Sequence, residues 1–137
     1  FKILEHKAKG FIKHSDGKNI AKNYSPDASL NNNDSYILIE HESEPNRKTI
    51  VANMIKAAYF LQGNRTGILV IVMTPKGTSS MESYTKHIKQ YLDWVKGKTN
   101  LKEVYFISEA NYQQNSNVLE INSKKFNDLS IKIDNAF

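Results

Sequence analysis

The sequence predicts an α/β fold in which a mixed central sheet is flanked by helices. Three observations carry that prediction. Periodicities of strand and helix alternate along the chain, ending in the order strand, helix, strand, helix, strand. The run Gly67-Ile68-Leu69-Val70-Ile71-Val72-Met73 is β-branched and apolar on both faces, as a central parallel strand is when both faces are covered. The polar turn Asn31-Asn32-Asn33-Asp34 separates two early strand segments, so the sheet is expected to be antiparallel early and parallel late.

Phe11-Ile12-Lys13-His14 and Asn19-Ile20-Ala21-Lys22 flank Asp16-Gly17 and read as a hairpin. After the Asn-rich turn, Ser35 to Glu42 begins apolar and ends charged, the pattern of a buried strand whose end reaches a site. Ser43, Glu44 and Pro45 then read as a helix start, with a capping hydroxyl, an acid and a first-turn proline. That helix is expected to run to about Leu61 and stop at Gly63, with Ile50, Val51, Met54, Ile55, Ala58 and Leu61 at helical spacing. Thr74-Pro75-Lys76-Gly77 breaks the central strand. A second helix follows, capped by Ser79 or Ser80, with Met81, Tyr84, Ile88, Tyr91, Leu92 and Val95 on one face and Gly97 closing it. Leu101 to Ile107 is a further strand, and Val118–Ile121 and Leu129–Ile133 are edge strands or docked segments.

At 137 residues the chain is one domain of ordinary size, 1–137. It begins at Phe1 and not at Met, which suggests a fragment or a subunit lacking an N-terminal element. The absence of cysteine excludes disulfide scaffolds, zinc–thiolate sites and thiol catalysis, and suits a reducing compartment. No apolar run approaches the roughly 20 residues that span a bilayer, so no membrane partner is expected. The net charge of +5 is a mild basic bias, carried mostly by lysine, compatible with a polyanionic partner.

The acids are unevenly placed. Pro26-Asp27 lies at a strand end, and the strand after the turn closes with Glu40-His41-Glu42. Alternation puts Leu38, Glu40 and Glu42 on one face and Ile39 and His41 on the other. If the two strands pair through the turn, Asp27 lies beside Glu40 and Glu42. Three grouped carboxylates repel and shift toward their neutral forms unless a cation neutralises them. A hard ion such as Mg²⁺, with Mn²⁺ able to substitute, is the natural partner. The plainer alternative is a solvated acidic strand end leading into a helix N-terminus.

Ser25-Pro26-Asp27-Ala28 followed thirteen positions later by Glu40, in Ile37-Leu38-Ile39-Glu40-His41-Glu42, resembles the PD-(D/E)xK nuclease superfamily, with its restriction-endonuclease-like core. The resemblance covers residues 11 to 107, including the helix–strand–helix–strand order downstream. It departs from the usual pattern at Glu42, where the superfamily commonly has lysine, and matches its acid-x-Glu variant. The resemblance implies a Mg²⁺-dependent restriction enzyme or its cleavage domain, prokaryotic and cytoplasmic, hydrolysing DNA phosphodiester bonds. It implies that Asp27 and Glu40 hold one or two metal ions. Glu42 would orient or deprotonate the attacking water, or bind a second metal. Base readout is then expected from a further domain, a partner subunit or a homodimer.

Arg47 and Lys48, opening the helix after the acidic strand, are the nearest candidates for phosphate contact. Lys18 and Lys22, in the basic N-terminal segment, are further candidates for tracking a phosphate backbone. His41 is expected on the face away from the acids, and His6, His14 and His87 show no metal-ligand spacing. Glu44 reads as a helix-start acid, and Glu5 as a marginal metal candidate. The rival from another class is a non-catalytic α/β module that binds protein or nucleic acid and whose acids are structural.

Overall fold

The structure is a computed structural model that describes residues 1–74 and 81–133. Its centre is a six-stranded mixed sheet. The first three strands are β1 (Ile12–Ser15), β2 (Ala28–Asn32) and β3 (Ser35–Glu42), each antiparallel to the one before. Helix α1 (Arg47–Phe60) leads to β4 (Thr66–Met73), and α2 (Met81–Lys96) leads to β5 (Leu101–Ser108). Strands β3, β4 and β5 are parallel, with β4 central. Then come the short α3 (Glu109–Tyr112), a small hairpin of β6 (Gln113–Gln114) and β7 (Asn117–Val118), α4 (Lys124–Leu129), and β8 (Ile131–Lys132) antiparallel to β5. The predicted α/β class and the change from antiparallel to parallel pairing are both present. No helix among the described residues is long and apolar enough to cross a membrane.

Two expectations are corrected. The turn at Asp16-Gly17 forms, with Gly17 at φ +94°, yet Asn19–Lys22 is not the partner strand. β1 pairs instead with β2, which the antiparallel ladder to β3 holds in the sheet, while Ile20 and Ala21 of the Lys18–Asn23 stretch pack against the core without joining the sheet. That stretch closes on itself through an Ala21–Tyr24 bridge and a Ser25 hydroxyl donated to Asn19. The second correction is the start of α1. Asn46, not Ser43, caps it: its side-chain oxygen accepts the Thr49 N–H at 2.9 Å, and Pro45 lies outside, its carbonyl accepting the Tyr84 hydroxyl. An Asx cap satisfies one of the orphan amide donors of the first turn. The helix ends at Leu61 with Gly63 in the left-handed region, as expected. The proposed cap of α2 at Ser79 or Ser80, and Pro75–Gly77 of the strand break, lie outside the described residues.

The sheet carries one apolar layer on each side. On one side α1 and α2 cover Leu38, Leu69, Ile71, Met73, Val104 and Phe106 with Ile50, Met54, Ala57, Ile88 and Leu92. On the other, Ile37, Ile39, Val70, Val72 and Ile107 are covered by Ala8, Tyr112, Ile121 and Phe126 from the N-terminal and C-terminal segments. These side chains are almost wholly buried. Gly67 is required where β4 leaves its turn beside β3: a Cβ there would sit 2.2 Å from the Tyr36 carbonyl oxygen. Gly67→Ala is therefore expected to cost about 1–3 kcal/mol, as overpacking against backbone does. Urea unfolding measures it, and an unchanged midpoint would show that the two strands have room to separate.

Candidate functional site

The carboxyl end of β3 positions the acids. One step beyond the Ala28–Ile39 pair, Asp27 lies across the antiparallel ladder from Glu40. Two hydrogen bonds lock the juxtaposition. The Asp27 N–H donates to Glu40 Oε1 at 3.3 Å, and the His41 N–H donates to Asp27 Oδ2 at 2.7 Å. Each carboxylate thus has one oxygen tied to backbone of the other strand. Glu42, two residues on, accepts the Asn53 side-chain amide of α1 at 2.7 Å. Alternation along β3 is as expected: Glu40 and Glu42 share the α1 side, and His41 faces the other.

Glu40 is 9% exposed. Burial pushes its carboxyl up to about 8, and the negative charges of Asp27 and Glu42 push the same way. Tyr24 is packed on Phe60 with its hydroxyl buried and, among the described residues, without a hydrogen-bond partner; burial and the nearby Glu40 both disfavour its ionisation. The carboxyl end of β3 thus brings three carboxyl groups close enough to act on one another, an oxygen-rich chemistry that suits a hard cation.

Among the described residues no three His, Asp or Glu side chains are grouped closely enough to enclose a metal ion unaided. Mg²⁺ does not need such a cage, since it usually takes one or two carboxylates and keeps several waters. Asp27 and Glu40 fit that requirement. Glu42 is close enough to act on Glu40 electrostatically, with its carboxylate directed to Asn53.

The remaining candidates are dispersed. Arg47 donates to the Ser83 hydroxyl of α2 at 3.5 Å, and Lys48 lines an outer groove with it. Lys18 borders a polar cleft with Lys13, His14 and Asp16, and Lys22 is exposed in the loop before Tyr24. Glu44 is exposed in the connection to α1, and Glu5 is exposed in an N-terminal segment of turns. His41 bonds to Glu109 and stacks on Phe1 at 4.6 Å. His6 is held between the Phe1 carbonyl and the Tyr112 hydroxyl, and burial lowers its pKa.

Sequence reasoning missed Asn53, Tyr24 and Glu109. Asn53 had a readable signal, a polar side chain beside Met54 and Ile50 on the inward side of a helix. Tyr24 and Glu109 had none, because loop geometry and a one-turn helix bring them to β3. No family model matches the chain, and neither does any curated protein or solved structure.

Proposed function

We propose that this domain is a Mg²⁺-dependent endonuclease, similar in type to the catalytic core of restriction enzymes, that hydrolyses DNA phosphodiester bonds. The observation that carries the reading is the Asp27–Glu40 pair: two carboxylates cross-linked through backbone at a strand end, one of them buried. Asp27 and Glu40 are the residues that would hold Mg²⁺, or Mn²⁺ in its place. The bound ion supplies Lewis-acid polarisation of the phosphate and a more acidic water. The His41 amide keeps Asp27 from rotating, and the Asn53 amide orients Glu42 beside the pair, where it can take or align a proton of the attacking water. Base readout is assigned to a partner subunit, a further domain or a second copy of the chain.

Conversion of supercoiled plasmid to nicked and linear forms, with Mg²⁺ and with EDTA, tests the reading. Metal-dependent cleavage by pure protein supports it. A second reading has an observation in its favour: the same two hydrogen bonds would serve a purely structural clamp between β2 and β3. Intact plasmid at all Mg²⁺ and Mn²⁺ concentrations, with no metal binding by calorimetry, would favour that non-catalytic module.

Glu42 is tested separately. Glu42→Gln keeps the shape and the Asn53 contact but removes the charge, and is expected to lower cleavage about 10²-fold, the usual scale for a proton-transfer group. Its Mn²⁺ dependence should shift to higher concentration. Wild-type rates with an unshifted metal curve would reduce the site to Asp27 and Glu40.

A further inference from the structure

The outer surface of α1 and α2 carries a feature that phosphodiester cleavage does not use. A groove of about 720 Å³ runs between the helices, floored by Val51, Ala52, Ile55 and Tyr91 and edged by Arg47, Lys48, Lys56 and His87. Ile55 is 41% exposed and Tyr91 39%. By helical spacing Tyr59 extends the Ile55 stripe and Trp94 the Tyr91 stripe, and both are largely exposed. Four of the six exposed large hydrophobic residues described in the structure therefore lie on these two helices. Contiguous apolar surface with a polar rim marks an interaction site more often than scattered exposure does.

The rim decides what fits. It holds three permanent cations and no carboxylate. Among the described residues, none of Arg47, Lys48 and Lys56 is in an ion pair. A second copy of the chain seated groove to groove would bring like charges together, which is unfavourable at an interface. A phosphate backbone would answer the charge but leave the apolar floor against water. An amphipathic helix with leucine-type side chains on one face and acids beside them answers both.

We propose that the α1–α2 groove is a docking site for an acidic amphipathic helix of a partner protein. Arg47 and Lys48 then belong to the rim of this site.

The probe is a designed amphipathic peptide with leucines on one face, glutamates beside them and no tryptophan, compared with its lysine counterpart. Trp94 is the chain's sole tryptophan, exposed and one helical turn beyond the groove residue Tyr91, so its emission is the readout for docking. The glutamate peptide is expected to shift Trp94 emission to the blue and saturate, and the lysine peptide is not. Ile55→Glu, at an exposed helical position, should weaken binding about 30-fold or more, the scale of a hot-spot loss. Lys56→Glu should weaken it about tenfold and raise affinity for the lysine peptide. Cleavage of DNA by Ile55→Glu should remain at the wild-type rate, so loss of docking is distinguishable from failure of the catalytic reading. Three results would overturn the proposal: equal binding of both peptides, or of neither; a concentration-dependent dimer in sedimentation that Ile55→Glu dissociates, making a second copy the occupant; or displacement of the peptide by duplex DNA, making the groove a nucleic-acid surface.

Discussion

Asp27→Asn and Glu40→Gln are each expected to lower Mg²⁺-dependent cleavage of supercoiled DNA by about 10³-fold or more, the scale of losing several kcal/mol of metal-based charge stabilisation. The amides are chosen because the structure gives both carboxylates a second task. Asn at 27 retains an oxygen to accept the His41 N–H, and Gln at 40 retains one for the Asp27 N–H. Asp27→Ala would strand the His41 N–H in a partly buried site, at a cost of about 1–3 kcal/mol. An alanine there therefore does more than relieve repulsion between carboxylates. Initial nicking rates, with thermal melts alongside, make the comparison. A wild-type rate in either amide variant would remove that residue from the reaction.

Metal-free stability is expected to fall as pH rises from about 4.5 to about 8, because Glu40 is pushed from its ordinary value of 4.5 up to about 8 in the folded state. The sign follows from proton binding. Between those values the folded chain holds a proton that the unfolded chain has released, so raising pH favours unfolding. Glu40's contribution is complete below about 4.5 and is lost through about 8. The loss is expected to be roughly 2–5 kcal/mol, since each tenfold change in proton affinity between the two states is worth about 1.4 kcal/mol. Urea unfolding in EDTA at about pH 5 and about pH 8.5 measures it, with Glu40→Gln as the control that lacks the titration. Adding Mg²⁺ at the higher pH should restore stability to the wild type and not to Glu40→Gln, since an ion bound only by the folded chain acts by mass action. Equal pH dependence in the two proteins would show that Glu40 ionises as an ordinary carboxylate does.

Much of the fold is readable because its signals are local. The alternation in Ser35–Glu42, the doubly apolar Gly67–Met73 run and the stripe of α2 each follow from one periodicity, and each lies where that periodicity puts it except at Tyr91, which is left partly exposed, as is Ile55 of the α1 stripe. The failures come where two local signals compete. Ser43-Glu44-Pro45 reads as a helix start, but the Asn46 side chain is the one that reaches the Thr49 N–H and caps the helix. Lys18–Asn23 follows a real bend, but pairing belongs to β2, which its full-length ladder to β3 holds at the sheet. Helices α3 and α4 are too short, at 4 and 6 residues, to show a period.

The α/β class, the faces of β3 and the nearness of Asp27 to Glu40 all follow from local patterns in the chain. Strand alternation and a tight Asn-rich turn leave little freedom between residues thirteen positions apart. Packing in three dimensions settles the rest: Glu40 is buried, Asp27 is tied to the His41 amide, and Glu42 turns to Asn53. Packing also sets Arg47 and Lys48 at the edge of a groove between α1 and α2. Burial, and the shift of a carboxyl toward its neutral form, depend on which distant segments cover a strand end. That covering comes from Tyr24, α1 and the sheet packing together, and no local pattern in the chain encodes it.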